Sequence, residues 1–422
     1  MQAEGDDLDT VLKAAALLHE NGQSTGMTMI AVDRLNQGLG VRATLIPSWA
    51  SLLVIGGAPP APVRAVAATP AAINMRRVSA AMRTIDQAED GPLDREVVNR
   101  ELAAAATESV SNTATFIVAC ATGAAGLAVV FGATDAAAVL LAAASAALGG
   151  ALRRALGRFG IGLLVQAFTA ATVAGLVGAA ATQLNLGAAA GLVAVCPAMV
   201  LVPGPHVLNG ALDLLASRVT LGIARLGYAT LILAAIAAGL IIGLRVGGQT
   251  LSVSGSYAHV PLYVDVLAAG VAAASYPVYF SMPYRMIGWP VLAGMAAHAV
   301  HWWAMTAWHA SLATAAFLAC LLVGVALVPV AHLLRMPFAA IGFAAVVALV
   351  PGVYIFRMLS GLIQLPGTAS PALLTATVSD GAVAALVVAA MAVGLVVPMH
   401  IRDAVVTRRM RRAVANSGRH RD

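Results

Sequence analysis

The sequence predicts an α-helical polytopic membrane protein, with ten transmembrane helices as two inverted five-helix repeats behind a small cytosolic α+β N-terminal module. Three observations carry this prediction. Sixty per cent of the 422 residues are hydrophobic and only 10% are charged, against about a quarter charged in a soluble globule; mean hydropathy is +0.86. Apolar runs of about 18 residues or more, each long enough to cross roughly 30 Å of hydrocarbon, recur from residue 115 onward. The motif Leu201-Val202-Pro203-Gly204 returns as Leu349-Val350-Pro351-Gly352, at an offset of 351 − 203 = 148. Ten-residue alternation with aromatic girdles is missing, which argues against a β-barrel. The regions expected are a cytosolic module at 1–110, a first membrane repeat at 111–248, a second, inverted one at 249–398, and a basic cytosolic tail at 399–422.

The module is read from periodicity and punctuation. Asp9–Glu20 has helical spacing, with Val11, Leu12, Ala15 and Leu18 on one face. Asn21-Gly22 ends it, and a second helix is expected from Thr25 to Leu39, closed by Gly40. Strand-like runs follow at Val41–Ile46, Ser51–Ile55 and Arg64–Ala68, then helices at Met75–Ala88 and Asp94–Ala106. Gly22-Gln23-Ser24-Thr25-Gly26 matches a nucleophile-elbow pattern, but that elbow needs a preceding strand. Here a helix precedes, so Ser24 or Thr25 reads as an N-cap. No Asp/His pair completes a triad, and the chain is not expected to be an enzyme. Cys120, Cys196 and Cys320 sit in apolar runs without metal-ligand spacing and read as small buried hydrophobes. No metal and no cofactor is expected.

Spans are predicted near 115–132, 135–152, 161–181, 188–216, 219–244, 262–280, 287–303, 311–332, 337–363 and 374–398. With the amino terminus inside, Arg95, Arg100, Arg153, Arg154, Arg158, Arg218, Arg285, Arg335 and the 402–412 cluster fall on the cytoplasmic side, leaving Arg245 and Arg357 outside. That asymmetry follows the positive-inside rule, so both termini are expected in the cytoplasm of a multi-pass inner (plasma) membrane protein. Charge otherwise totals nine basic and thirteen acidic side chains in 1–110, nine and four in 111–398, and seven and two in 399–422. The basic tail at a helix exit reads as attracted to anionic membrane lipid rather than to nucleic acid.

The repeat is supported by Phe131 and Phe280, which end the first and sixth spans. Five spans per copy is odd, so the second copy is inverted, an architecture of secondary transporters. The Pro-Gly breaks at Pro203-Gly204 and Pro351-Gly352 interrupt the fourth and ninth spans. Proline removes a donor and frees a carbonyl, so the following half-helices are expected to point free N–H groups at a substrate carboxylate. Two packing kinks are the plain alternative. His206, Asn209 and Asp213 follow the first break on one face, and Arg357 follows the second. Intramembrane ionisable groups mark functional paths by default. Asp213 can instead pair with Arg218 at the interface, and Arg357 can snorkel outward. Arg225 has the strongest claim to burial, although pairing with Asp213 would be structural. Asp265 and Asp380, near outer span ends, are expected to be solvated. His298 and His301 share a helical face and could, with Asp213, relay protons. GxxxG spacings at Gly187–Gly191 and Gly243–Gly247 allow close helix contact.

A module opening with a helix, Gly and Ser/Thr, then a strand pair, then Asn74-Met75-Arg76-Arg77, resembles the threonine/serine exporter family. So does Leu201-Val202-Pro203-Gly204 followed by Asn209-Gly210, Asp213-Leu214-Leu215 and Gly222-Ile223-Ala224-Arg225-Leu226. Leu349–Gly352 with Tyr354 and Arg357 is similar to the family's carboxy-terminal half, and adds Tyr354 to the candidate substrate-binding set. The resemblance covers roughly residues 10–398 as a fused two-half form. It implies export of threonine, serine or a similar small polar metabolite, driven by the proton motive force. The family's Arg and Glu after its first motif align with Met27 and Met29, a departure that leaves the substrate open, small dicarboxylates included. An importer or channel for small carboxylates, or a membrane scaffold or sensor working through residues 1–110, are the alternatives. Homo-oligomerisation is left open.

Overall fold

The computed structural model describes residues 2–57, 61–184, 186, 189–251, 260–333, 338–368 and 370–418. Its amino-terminal part runs α1 (Gln2–Glu20), α2 (Thr25–Leu39), β1 (Ala43–Pro47), β2 (Ser51–Gly56), β3 (Val63–Ala67), α3 (Met75–Asp86), a 3-10 turn at Gln87–Glu89, and α4 (Arg95–Thr107). The first helix starts earlier than Asp9, where apolar periodicity begins. The strands form an antiparallel meander in the order β1-β2-β3, with Ala43 opposite Gly56 and Ser51 opposite Ala67. Leu52 and Val54 of β2 point into the core, where Leu8, Val11 and Leu18 of α1 are also fully buried. Helix starts follow cap chemistry: the side chains of Ser24, Asn74 and Asp94 accept from N–H groups of the first turns of α2, α3 and α4. Gly40, at φ 70°, ends α2 in the left-handed conformation that glycine adopts without Cβ strain.

The remaining helices are α5 (Thr113–Val130), α6 (Ala136–Arg158), α7 (Leu163–Thr182), α8 (Ala189–Met199), α9 (Gly204–Leu215), α10 (Val219–Val246), α11 (Leu262–Tyr279), α12 (Gly288–Ala307), α13 (Leu312–Leu333), α14 (Phe338–Val346), α15 (Gly352–Gln364) and α16 (Pro371–Gly418). Among the described residues, α5, α6, α7, α10, α11, α13 and α16 are long and apolar enough to cross a membrane. Two bent pairs, α8–α9 and α14–α15, raise the number to as many as nine. The chain is a multi-pass helical membrane protein. Helix α12, with His298 and His301, occupies the predicted seventh span but is not among the nine. Helix α16 runs past 398 without interruption, so the tail prolongs the last span. Arg335 and the loop 333–337 around it lie largely outside the described residues, as do Gly187 and the side chains of 402–412.

Small residues set the helix contacts. A Cβ on Gly175 of α7 would strike the Leu240 carbonyl of α10, and one on Gly243 would strike that of Thr172. The expected Gly243–Gly247 contact is therefore a seam between α7 and α10, with Gly247 against Ala179. The equivalent helices 148 residues on, α13 and α16, meet at the same kind of seam: Gly394 would clash with the Phe317 carbonyl at 2.7 Å.

The module is seated on one end of this bundle. The N–H groups of Met75 and Arg76 donate to the carbonyls of Phe280 and Ser281, at 3.1 and 3.0 Å, so the start of α3 caps the end of α11. Ser111, which leads into α5, donates its hydroxyl to the Val278 carbonyl at 2.7 Å. At the opposite end, Trp302 of α12 donates to Val260 and Ser360 of α15 donates to Leu251.

Candidate functional site

The two breaks have nearly the same backbone. Pro203 has φ −80° and ψ 58°, and Pro351 has φ −78° and ψ 48°. Gly204 N–H closes on the Val202 carbonyl at 2.9 Å, and Gly352 N–H on Val350 at 2.8 Å. Each break is thus an inverse γ-turn centred on proline, and the helix pairs bend by 63° and 65°. The breaks also interlock. A Cβ on Gly204 would fall inside the Phe343 ring of α14, and one on Gly352 would meet the Met199 side chain of α8 at 2.7 Å.

This geometry corrects the expected anion-binding role of the first half-helix. The Gly204 N–H is spent on the γ-turn, Pro205 has none, and those of His206 and Val207 donate to the Pro203 carbonyl at 3.0 and 3.2 Å. At the second break Gly352 and Ile355 are engaged in the same way. The γ-turn absorbs the donor that an unwound helix would otherwise leave free.

His206, Asn209 and Asp213 do share a face of α9, and that face meets the amino-terminal module. Asn209 Nδ2 donates to the Gly22 carbonyl at 3.2 Å. Thr25, at the start of α2, donates its hydroxyl to Asp213 Oδ2 at 2.9 Å and accepts from Arg225 Nη2 at 3.4 Å. Arg225 Nε lies 3.0 Å from the same Asp213 oxygen, and Arg218 Nη1 3.3 Å from the other. Asp213 therefore has both partners that the sequence offered as alternatives. Met29 takes the Arg218 guanidinium on its sulfur at 3.4 Å, so a thioether stands at a position where the resemblance expects charge. His206 meets the Tyr228 ring edge-on at 5.2 Å, and Trp49 from the β1–β2 turn lies 5.1 Å from the same ring. Beneath the turn, burial pushes the His19 imidazole down to about 4, and the nearby Arg225 guanidinium adds to the effect. Ser24 is consumed as the N-cap of α2, accepting from Met27 N–H, in a helix–turn–helix setting that has no strand for an elbow.

A cavity of about 210 Å³ opens beside the first break, bounded by Leu201–Pro203 and His206. The module closes one side with Ala71–Ile73, and α6 contributes Arg153 and Arg154. Arg153 donates to the Tyr279 hydroxyl and lies over that ring. Arg154 donates to the Ser111 carbonyl at 3.0 Å and stacks 4.1 Å over Phe116. Gln166 of α7 completes the polar wall. In the sequence both arginines read only as orientation signals. Two adjacent cations one turn from a helix end were the available sign, but it is the same sign that topology produces.

The second half brings its charges together differently. Asp265 Oδ2 lies 3.0 Å from His298 Nδ1, and Asp380 Oδ2 lies 3.0 Å from Arg357 Nε. Both aspartates are buried, which corrects their expected solvation: each sits on a bundle-facing side of its helix, where a partner replaces water. Arg357 pairs inward instead of snorkelling. The His301 ring lies 6.0 Å from that of His298, and Tyr354 is half-buried. Pro351, Gly352, Tyr354 and Arg357 do not line the cavity at the first break.

Two family models match the chain. One, described as a threonine/serine exporter, covers residues 9–247; the other, described as Threonine/Serine exporter, ThrE, covers residues 265–401. Searches of curated proteins and of solved structures found no match. The first family model alone spans more than half of the sequence and the second takes up where it stops, so the chain belongs to the threonine/serine exporter family in a form that joins both halves.

Proposed function

We propose that this membrane exporter of small amino acids carries threonine, serine or a similar small polar metabolite out of the cell, driven by the proton motive force. The observation that carries the reading is the interlocked pair of proline γ-turns. Their shared backbone geometry, 148 residues apart, supports ten spans arranged as two inverted five-helix repeats, with α12 as the seventh. Discontinuous helices meeting at the repeat interface are where such transporters bind substrate. Alternating access then rocks one bent pair against the other, with Gly204 against Phe343 and Gly352 against Met199 as the moving contact.

In this reading the substrate site comprises Pro203, Gly204, His206, Asn209, Asp213 and Arg225 from the first half, and Pro351, Gly352, Tyr354 and Arg357 from the second. Asp213, His298 and His301 are the candidates for proton coupling: Asp213 and His298 are buried against an ionic partner, and His301 stands beside His298. The module side of the bundle is cytoplasmic, both termini included, and the membrane is the inner (plasma) membrane. Lipid contacts the tail, and a homo-oligomer is compatible with the fold. A channel or importer of small carboxylates has the uncompensated Arg153–Arg154 pair in its favour. Counterflow in vesicles holding the purified chain separates the two: internal threonine should accelerate uptake of labelled threonine and of serine. Counterflow with succinate alone would replace the exporter reading.

A further inference from the structure

We propose that Arg153 and Arg154 form a carboxylate-binding subsite in the cavity beside the first break. That the carboxylate is an amino acid's rests on the exporter reading above; the subsite itself does not. The cavity holds two guanidinium groups, and no Asp or Glu lines it. Among the described residues the two arginines bond the Tyr279 hydroxyl and the Ser111 carbonyl, neither of them a carboxylate, and the Nε atoms of both are buried without a hydrogen-bond acceptor. An arginine that served only as an orientation signal would keep its donors in water. Here aromatic rings fix the planes of both groups, Tyr279 under Arg153 and Phe116 under Arg154, as bidentate recognition of a carboxylate requires.

The other half of a zwitterion also finds a place. Gln166 spends its amide N–H on the Ile161 carbonyl at 2.7 Å, which leaves its oxygen as the acceptor for an ammonium. A volume of 210 Å³ corresponds to about seven waters at roughly 30 Å³ each, enough for a small amino acid and below the ~300 Å³ where drug-sized ligand pockets begin. Because Pro203 and His206 share the cavity, an occupant touches the first break directly. At the first break the N–H groups of Gly204, His206 and Val207 are already bonded, so anion binding beside it falls to these side chains.

The test uses the full chain in phosphatidylcholine vesicles, with and without phosphatidylglycerol, and labelled L-threonine with threonine amide and succinate as competitors. Arg153→Gln and Arg154→Gln should each weaken threonine binding at least tenfold and abolish the preference for threonine over its amide. Arg153→Lys and Arg154→Lys, which keep the charge but lose the planar fork, should weaken threonine binding by a similar factor, and they decide the matter if the glutamine variants do not fold. Succinate binding lost in the same variants, with threonine unbound throughout, would keep the subsite and remove the exporter reading. Folded arginine variants that still prefer threonine to its amide would overturn the subsite while leaving export intact. So would threonine binding unchanged in the folded lysine variants, an affinity that follows phosphatidylglycerol and ignores the carboxylate, or no carboxylate bound at all.

Discussion

Consider Arg225→Gln, Asp213→Asn and the two combined. Removing one partner of a buried ion pair costs about 3–5 kcal/mol, because the other charge stays behind without compensation. The structure ranks the two single variants. Arg225 is 0% exposed, and Asp213 is the carboxylate beside it; Asp213→Asn leaves that guanidinium with the Thr25 hydroxyl and belongs near 5 kcal/mol. Asp213 keeps Arg218 at 3.3 Å, a guanidinium 28% exposed and so partly screened, together with Thr25 at 2.9 Å. Arg225→Gln therefore belongs near 3 kcal/mol. The double variant leaves two amides that can still bond Thr25, and should cost only about 1–2 kcal/mol, the worth of one or two hydrogen bonds. The resulting coupling of about 6–7 kcal/mol exceeds the roughly 0.5–3 kcal/mol usual for residues in contact, because each single variant strands a buried charge. Thermal unfolding of the detergent-purified chain reads it: both single variants should melt well below the parent, and the double variant should recover most of the loss. Single variants that melt with the parent would refute the reasoning. Threonine efflux by the same three proteins then separates roles. Recovery in the double variant makes Arg225 a structural partner of Asp213, and restored stability without efflux assigns the charges to transport.

His19 predicts a pH effect. Its folded-state value is depressed to about 4 from about 6.5, so the unfolded chain binds more protons between those limits. Its stability contribution is intact above pH ~6.5 and falls as pH drops toward 4, by up to about 3 kcal/mol; His19→Gln should flatten that part of a stability–pH curve, and an unchanged slope would exclude His19 as its source. At the breaks, Gly204→Ala should abolish transport and destabilise the fold, since even a methyl group enters the Phe343 ring, whereas Gly352→Ala should be milder because the Met199 side chain can turn aside. Equal activity of Gly204→Ala and the parent would reduce the break to a loose kink. A topology reporter after Gly248 should read outside and one after Met282 inside; the reverse pair would overturn the inverted arrangement.

Much of the architecture was legible because a bilayer imposes length and hydropathy on any span. Both breaks could be read because proline and glycine act locally, and the caps Ser24, Asn74 and Asp94 because N-cap chemistry is local too. Contacts between distant segments were not legible. Nothing in the neighbourhood of Thr25 announces that its hydroxyl meets Asp213, 188 positions away. Span-end charges were misread for a related reason: hydropathy places Asp265 and Asp380 near a membrane surface but does not say which side of the helix faces the bundle. Arg153 and Arg154 satisfied the positive-inside rule completely, so their second role left no residue of surprise. The γ-turns, finally, show that a Pro-Gly break can satisfy its own donors, which a count of lost hydrogen bonds does not reveal.

Export itself is tested most directly in cells that express the chain and are preloaded with a threonine-containing dipeptide, followed by the appearance of free threonine outside with and without an uncoupler. The account predicts efflux well above that of cells lacking the chain, collapsing when the proton gradient is dissipated and lost in Gly204→Ala. Efflux no faster than in cells lacking the chain, or a rate untouched by the uncoupler, would contradict it.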